Sequence, residues 1–188
     1  MLKEKTIILG VTGGIAAYKS ASLVSRLKDL GANIIAIMTK NATEFITPIT
    51  LQTLSQNPVY IDMFKLIEEA EIGHVSLSKK GDIIVIAPAT ANIIGKIVSG
   101  IADDLLTSTV MASTCPKLIA PAMHSTMYEN PVVQRNIKNL NDLGFEFVGP
   151  ETGKLASGDI GIGRLANIED IVDKIFDILK MEKLEKKS

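Results

Sequence analysis

The feature that most constrains this chain is the regular exchange of two hydrophobic periods. Thr6 to Val11 is a short, β-branched run that ends in a glycine turn, and Ile15 to Leu30 then carries apolar residues at helical spacing until Gly31 closes it. Asn33 to Met38 reads again as a strand. The pattern continues with a helix over 41–55, strands near 58–61 and over 82–87, helices over 92–100 and 103–113, a strand over 117–120, a helix over 131–143, a strand over 145–148 and a helix over 168–180. Strands that are apolar throughout, separated by amphipathic helices, have to be covered on both faces. The expected fold is therefore α/β, a three-layer doubly wound sandwich around a parallel sheet, Rossmann-like or flavodoxin-like.

Two stretches break the alternation. Phe64 to Ser78 is charged and runs past His74, and Pro150 to Leu165 holds Gly153, Gly158, Gly161 and Gly163. Both are expected to be long loops, which in such folds carry function. The 188 residues fit one domain. We set it at 1–180 and read 181–188, where lysines and glutamates interleave, as a charged tail or linker.

Charge and composition narrow the function. Lys and Arg number 20 against 21 Asp and Glu, with no basic cluster outside the tail, so nucleic acid has no electrostatic footprint to grip. The 46% hydrophobic content and mean hydropathy of +0.26 exceed what one modest sphere needs, which points to apolar surface covered by sister subunits. A single cysteine, Cys115, excludes an internal disulfide and a cysteine-built metal centre, and two histidines make any metal site improbable. Cys115 precedes strand 117–120 and is expected at its amino end, as a small buried hydrophobe away from any pocket. The apolar start, Ile7 to Val11, stops at Thr12-Gly13-Gly14 and reads as a strand of a cytoplasmic protein, not as a signal peptide. The longest apolar stretch, Ile83 to Ala102, is interrupted by Pro88, Thr90, Asn92 and Lys96, so no membrane span is expected.

Ligands of open α/β sheets bind beyond the carboxyl ends of the strands. Four segments there are unusual. Gly10-Val11-Thr12-Gly13-Gly14-Ile15 joins a strand to a helix, where small residues let amides approach a phosphate; it matches neither a G-x-G-x-x-G nor a P-loop, and an ordinary tight turn explains it equally well. Ala87-Pro88-Ala89-Thr90-Ala91-Asn92 and Ala120-Pro121-Ala122-Met123-His124 are proline-bearing small-residue turns suited to the walls of a flat pocket for a planar ring such as a flavin. Thr90 or Asn92 is equally a helix N-cap. The glycine-rich Gly158 to Arg164 is a flexible loop that brings one arginine to a carboxylate or phosphate. His74 and His124 both fall in loops at this edge, where an imidazole suits acid–base work.

Taken together, Gly13-Gly14-Ile15-Ala16-Ala17-Tyr18-Lys19, His74, Pro88-Ala89-Thr90-Ala91-Asn92, Gly100-Ile101-Ala102-Asp103-Asp104-Leu105-Leu106, Pro121-Ala122-Met123 and Gly161-Ile162-Gly163-Arg164 resemble the homo-oligomeric flavin-containing cysteine decarboxylases. The likeness runs from about Thr6 to Leu179. It implies bound FMN and the decarboxylation of phosphopantothenoylcysteine to phosphopantetheine in coenzyme A biosynthesis. It also implies a trimer-based homo-oligomer, up to a dodecamer, and a ligase domain fused or separate. By the same resemblance His74 is the active-site histidine. Gly13, Gly14, Ile15 and Thr39 surround the FMN phosphate and ribityl, Pro88, Ala89, Thr90 and Asn92 form the second cofactor turn, and Met123 approaches the isoalloxazine. Ala156, Gly158 and Arg164 belong to a flap that closes on the substrate.

Two positions depart from the family pattern. The usual Pro-Ala-Met-Asn reads Pro121-Ala122-Met123-His124, so an imidazole replaces the asparagine that the resemblance assigns to the substrate carboxylate. The usual Ala-Cys-Gly of the flap reads Ala156-Ser157-Gly158, so a serine stands where the resemblance expects the cysteine that gives the final proton. A hydroxyl is far less acidic than a thiol of pKa about 8.5. A peptidyl-cysteine decarboxylase of the same family and a non-catalytic FMN-binding regulator are the competing readings.

Overall fold

The computed structural model describes the backbone of residues 1–63 and 73–185 and the side chains of 1–63 and 75–180. Six strands, β1 (Thr6–Val11), β2 (Asn33–Met38), β3 (Val59–Tyr60), β4 (Ile83–Ala89), β5 (Lys117–Pro121) and β6 (Glu146–Phe147), form one sheet in the order β3-β2-β1-β4-β5-β6. Every adjacent pair in it is parallel. This is the doubly wound α/β architecture expected from the sequence. The order reverses between β1 and β4, and in such sheets a crevice opens there at the carboxyl ends.

Alternation along β1 sorts the two cores. Ile7, Leu9 and Val11 meet α1 (Lys19–Asp29) and α2 (Pro48–Ser55) through Leu23, Val24, Leu27 and Leu51, and α8 (Ile168–Glu185) through Ile171, Val172 and Ile175. Ile8 points to the opposite face. There, with Ile84 and Ile86, it packs on α4 (Ala91–Val98), α5 (Leu105–Ala112) and α7 (Pro131–Asp142), and on Leu77 of α3 (Gly73–Lys80). These aliphatic side chains are fully or nearly fully buried, each contributing about 1.5–3 kcal/mol of hydrophobic free energy, so both faces anchor the sheet.

The structure departs from expectation in identifiable places. Pro150 to Leu165 is not an irregular loop: β7 (Glu151–Lys154) and β8 (Ile160–Arg164) pair as an antiparallel hairpin. His74 is not in a loop but in the first turn of α3, and its side chain lies outside the described residues. The segment read as one helix over 41–55 is a 3-10 turn, Lys40–Glu44, followed by α2. Pro48 opens α2 and holds Thr47 in an extended conformation (φ −78°, ψ 145°), which ends the first turn. Ile15–Tyr18 is likewise a 3-10 turn ahead of α1. A short helix, α6 (Ser125–Tyr128), follows β5, and α8 continues to Glu185, into the segment read as a tail. Cys115 sits at the amino end of β5, half-buried, with its Sγ 3.1 Å from Ser113 Oγ.

Candidate active site

The carboxyl end of β4 is the foundation of the site. Its register against β5 shifts between Ile86 and Ala89, freeing carbonyls that the ladder would otherwise use. Side chains from the neighbouring segments take them up. Thr12 Oγ1 donates to the Pro88 carbonyl (2.7 Å) and Ser20 Oγ to the Ala87 carbonyl (2.8 Å). The Thr12 hydroxyl oxygen in turn accepts from the Thr90 amide at 3.2 Å. The turn after β1 is thereby fixed to the turn after β4 by buried hydrogen bonds.

Above this foundation opens a cavity of about 1350 Å³. Single small-molecule sites typically enclose about 300–1,000 Å³, so it has room for a cofactor and a substrate together. Of the residues expected at the site, Gly13, Gly14, Ile15, Thr39, Thr90, Asn92, Met123, His124, Ala156, Ser157 and Arg164 line it. Pro88 and Ala89 do not: both are buried in β4, beneath the wall. Gly158 stands at the hairpin tip with positive φ (+96°) and open space around its α-carbon, off the cavity surface.

Each wall has a local cause. A Cβ on Gly13 would lie 2.5 Å from the Asn41 Cβ and 2.8 Å from its main-chain carbon, so only glycine lets the turn after β1 close against the exit of β2. Thr90 caps α4, accepting the Ile93 amide at 3.4 Å, while Asp104 caps α5 in a reciprocal box with Thr107. His124 caps α6 through Nδ1, which faces Thr126 Oγ1 at 2.9 Å. The hairpin is tied to this wall at β8, where the Met123 amide donates to the Gly163 carbonyl (2.9 Å).

Charge on the cavity wall is partly internal. Lys96 Nζ bonds both Asp103 oxygens, at 2.7 and 2.9 Å. That hydrogen bond raises the Lys96 pKa and lowers that of Asp103. At the hairpin tip Asp159 Oδ2 accepts Ser157 Oγ (2.9 Å) and lies 3.4 Å from His124 Nε2. The Ser157 hydroxyl, and after it the imidazole, hold the Asp159 carboxyl below its usual range.

The residues present fit a flavin mononucleotide. Thr39 Oγ1 is buried, borders the cavity and has no hydrogen-bond partner among the described residues, so a polar ligand atom is what would satisfy it. Beside it the Gly13-Gly14 turn leads into the 3-10 turn, whose first amides have no partner within the turn and suit a phosphate. Thr90, Asn92 and Met123 bound the remainder as a wall of small and apolar surface for a ring. Sequence reasoning gave no role to Lys19, Lys40, Asn41, Lys96 or Met127, which also line the cavity. Their only signal was position: all follow the carboxyl ends of strands.

Comparison with known proteins agrees with this geometry. Over 172 residues the chain is 48% identical to the coenzyme A biosynthesis bifunctional protein CoaBC of Bacillus subtilis, covering 92% of this chain and 42% of that protein. It therefore spans less than half the length of that relative. A probable phosphopantothenoylcysteine decarboxylase of Streptococcus mutans is 43% identical, with 91% of this chain and 97% of that one covered. The solved structure of the FMN-dependent cysteine decarboxylase SpaF superposes with a TM-score of 0.84 at 30% identity, over 96% of this chain and 98% of that one. A PPC decarboxylase cysteine-to-serine variant, complexed with pantothenoylaminoethenethiol, gives 0.79 at 29% identity, over 99% and 100%. The model of the Flavoprotein family matches residues 1–180, and on that match the chain belongs to the Flavoprotein family.

Proposed function

We propose that this chain is an FMN-dependent carboxy-lyase that decarboxylates phosphopantothenoylcysteine to phosphopantetheine in coenzyme A biosynthesis. The observation that carries the reading is the cavity at the reversal of strand order, with the Thr39 hydroxyl, unpartnered among the described residues, at the glycine-turn end and the Ser157 hairpin at the other. The near full-length likeness to the Streptococcus mutans protein supports the same chemistry.

FMN, when bound, supplies the oxidation of the cysteinyl carbon and the later return of electrons. The chain's own residues do the rest. Gly13, Gly14, Ile15 and Thr39 hold the phosphate and ribityl end, Thr90 and Asn92 the second turn, and Met123 the ring, while Pro88 and Ala89 support that turn from within β4. Arg164, Ala156 and Gly158 place the hairpin over the substrate and exclude water. His74 moves a proton on the substrate, and the His124 imidazole takes the place of an amide as donor to its carboxylate. Ser157 occupies the position of the final acid.

The reading extends to assembly and location. Ile15, Tyr18 and Met127 border the cavity yet are 59%, 59% and 49% exposed, which supports a rim covered by another copy, in the trimer-based homo-oligomer that the family resemblance implies. The relatives named bifunctional support a ligase domain, fused or separate. No described helix is long and apolar enough to cross a membrane, and the reaction belongs to the cytoplasm. Ser157 favours one second reading, a decarboxylase that stops at the unsaturated thiol, as a peptidyl-cysteine decarboxylase would. Incubating FMN-loaded protein with phosphopantothenoylcysteine and weighing the products tests both: carbon dioxide with the saturated thiol supports the first, carbon dioxide with the unsaturated thiol supports the second, and an inert substrate overturns both.

A further inference from the structure

The proposed reaction asks His124 to donate to the substrate carboxylate, yet both of its ring nitrogens are already engaged. Nδ1 caps α6, accepting the Thr126 amide at 3.4 Å, with Thr126 Oγ1 at 2.9 Å. Nε2 faces Asp159 Oδ2 at 3.4 Å. An ionised carboxylate only accepts, so the proton of the neutral ring is assigned to Nε2 and is directed at Asp159.

The same contact tethers the hairpin tip. The tip closes on itself, the Leu155 amide donating to the Asp159 carbonyl (2.8 Å) and the Gly158 amide to the Leu155 carbonyl (3.0 Å). Ser157 Oγ donates to Asp159 Oδ2 at 2.9 Å, still within the tip. Among the described residues, no other side-chain hydrogen bond joins 155–159 to the rest of the chain. At 3.4 Å the tether is longer than the usual span of about 2.7–3.2 Å, and the Asp159 side chain is 68% exposed, so it is readily exchanged. Leu155, Ala156, Ser157 and His124 line the cavity, whereas Asp159 does not. Asp159 thus holds the donor from outside the space that a ligand fills. One N–H does not serve two carboxylates well, and two carboxylates brought to it repel each other.

We propose that Asp159 is a positioning residue that stands in for the substrate carboxylate on His124: a ligand bearing a carboxylate takes over the Nε2–H and releases the tip from α6, and a ligand without one leaves the tether in place. This rests on the function proposed above and deepens it, because substrate and product of a decarboxylation differ by that one group. Competition from Asp159 keeps the ground-state hold on the departing carboxylate weak, so little attraction has to be broken as it leaves.

Phosphopantothenoylserine, which is the substrate with a hydroxyl for the thiol, and its counterpart without the carboxylate offer the flavin no thiol to oxidise. Each is to be titrated calorimetrically onto FMN-loaded protein, in wild type, Asp159→Asn, His124→Asn and the double variant. Asp159 sits at an exposed tip, and asparagine is itself a favoured N-cap for α6, so the variants keep the fold. The carboxylate-bearing analogue should bind Asp159→Asn about three- to fivefold tighter than wild type, the scale of an exposed charge pair, while the other analogue should change by less than about twofold. In the His124→Asn background the gain from Asp159→Asn should disappear. No gain, an equal gain for both analogues, or a gain that persists without His124 would overturn the proposal, the last two leaving only a general effect of the charge. Carbon dioxide release from phosphopantothenoylcysteine is followed separately: decarboxylation without the selective gain sinks the role of Asp159 alone, and the gain without decarboxylation sinks the enzymatic reading alone.

Discussion

Ser157 and His124 converge on a single carboxylate oxygen, Asp159 Oδ2, at 2.9 and 3.4 Å. His124 Nδ1 accepts the Thr126 amide at 3.4 Å, so we assign the proton of the neutral ring to Nε2, facing Asp159. The Ser157 hydroxyl proton is likewise turned toward the carboxylate.

If the final reduction needs an acid at this hairpin position, a serine held in this way should stall the reaction before its last step. Carbon dioxide should appear together with a product roughly 2 Da lighter than the saturated thiol, from a chemical sequence split at its final proton transfer. Ser157→Cys should restore the saturated product, read by mass spectrometry. If wild type already gives the saturated product at full rate, the donor lies elsewhere, and His124→Asn should then block that step alone.

His74→Asn should abolish turnover while FMN stays bound, because the change keeps polarity and removes a group that titrates near neutral pH. Absorbance of the bound flavin and a carbon dioxide assay check the two halves. Full activity in this variant would leave His74 with a purely structural role in α3.

Thr39→Val removes the one buried hydroxyl without a partner among the described residues. The flavin-free protein should keep or slightly raise its Tm, since an unsatisfied polar atom is gone. FMN affinity should fall about tenfold or more, by fluorescence titration. Unchanged affinity would show that the hydroxyl faces no ligand.

Gly163→Ala should be among the most damaging single changes. Its φ of +139° is foreign to L side chains, and a Cβ there would sit 2.1 Å from the Met123 carbonyl oxygen. We expect a loss of more than about 3 kcal/mol in denaturant unfolding, from backbone strain and the broken tie between hairpin and wall. Gly158→Ala, at a tip with open space, is the milder control.

The hairpin tip should respond to acid. Asp159 has a lowered carboxyl pKa, chiefly from the Ser157 hydroxyl. A depressed carboxyl contributes its contact above the ordinary value of about 3.9 and loses it as pH falls through the folded value. Amides from Leu155 to Asp159, corrected for intrinsic exchange, should hold constant protection from pH 7 to 5 and lose it below about pH 4. In Asp159→Asn that acid step should vanish.

Sequence placed β1 and β2 to the residue, because unbroken β-branched runs between glycine turns leave one solution. It missed the β7–β8 hairpin because the strands carry Gly153, Gly161 and Gly163 where an alternating apolar pattern would have announced them. Gly161 is small for a tertiary reason, as a Cβ there would lie 2.8 Å from the Ser125 Cβ. Asn92 was legible as a polar residue of a strand-end turn, and Thr39 only through the family resemblance. Pro88 and Ala89 were assigned to the cavity because a turn motif gives no hint that its first residues are still strand. Lys19 and Lys96 were given no role although both follow strand ends, since a lysine on a helix reads as solvated until the fold places it on a wall.

Thr12 and Leu165 line the same cavity although nearly the whole domain separates them along the chain. During synthesis the pocket does not exist until the second strand of the hairpin has left the ribosome, so flavin is captured by finished domains alone. Whatever binds there favours the folded state by RT ln(1 + [L]/Kd) over the entire domain. Withholding the flavin should consequently lower the stability of the whole domain, hairpin and sheet together, and not that of the cavity wall alone.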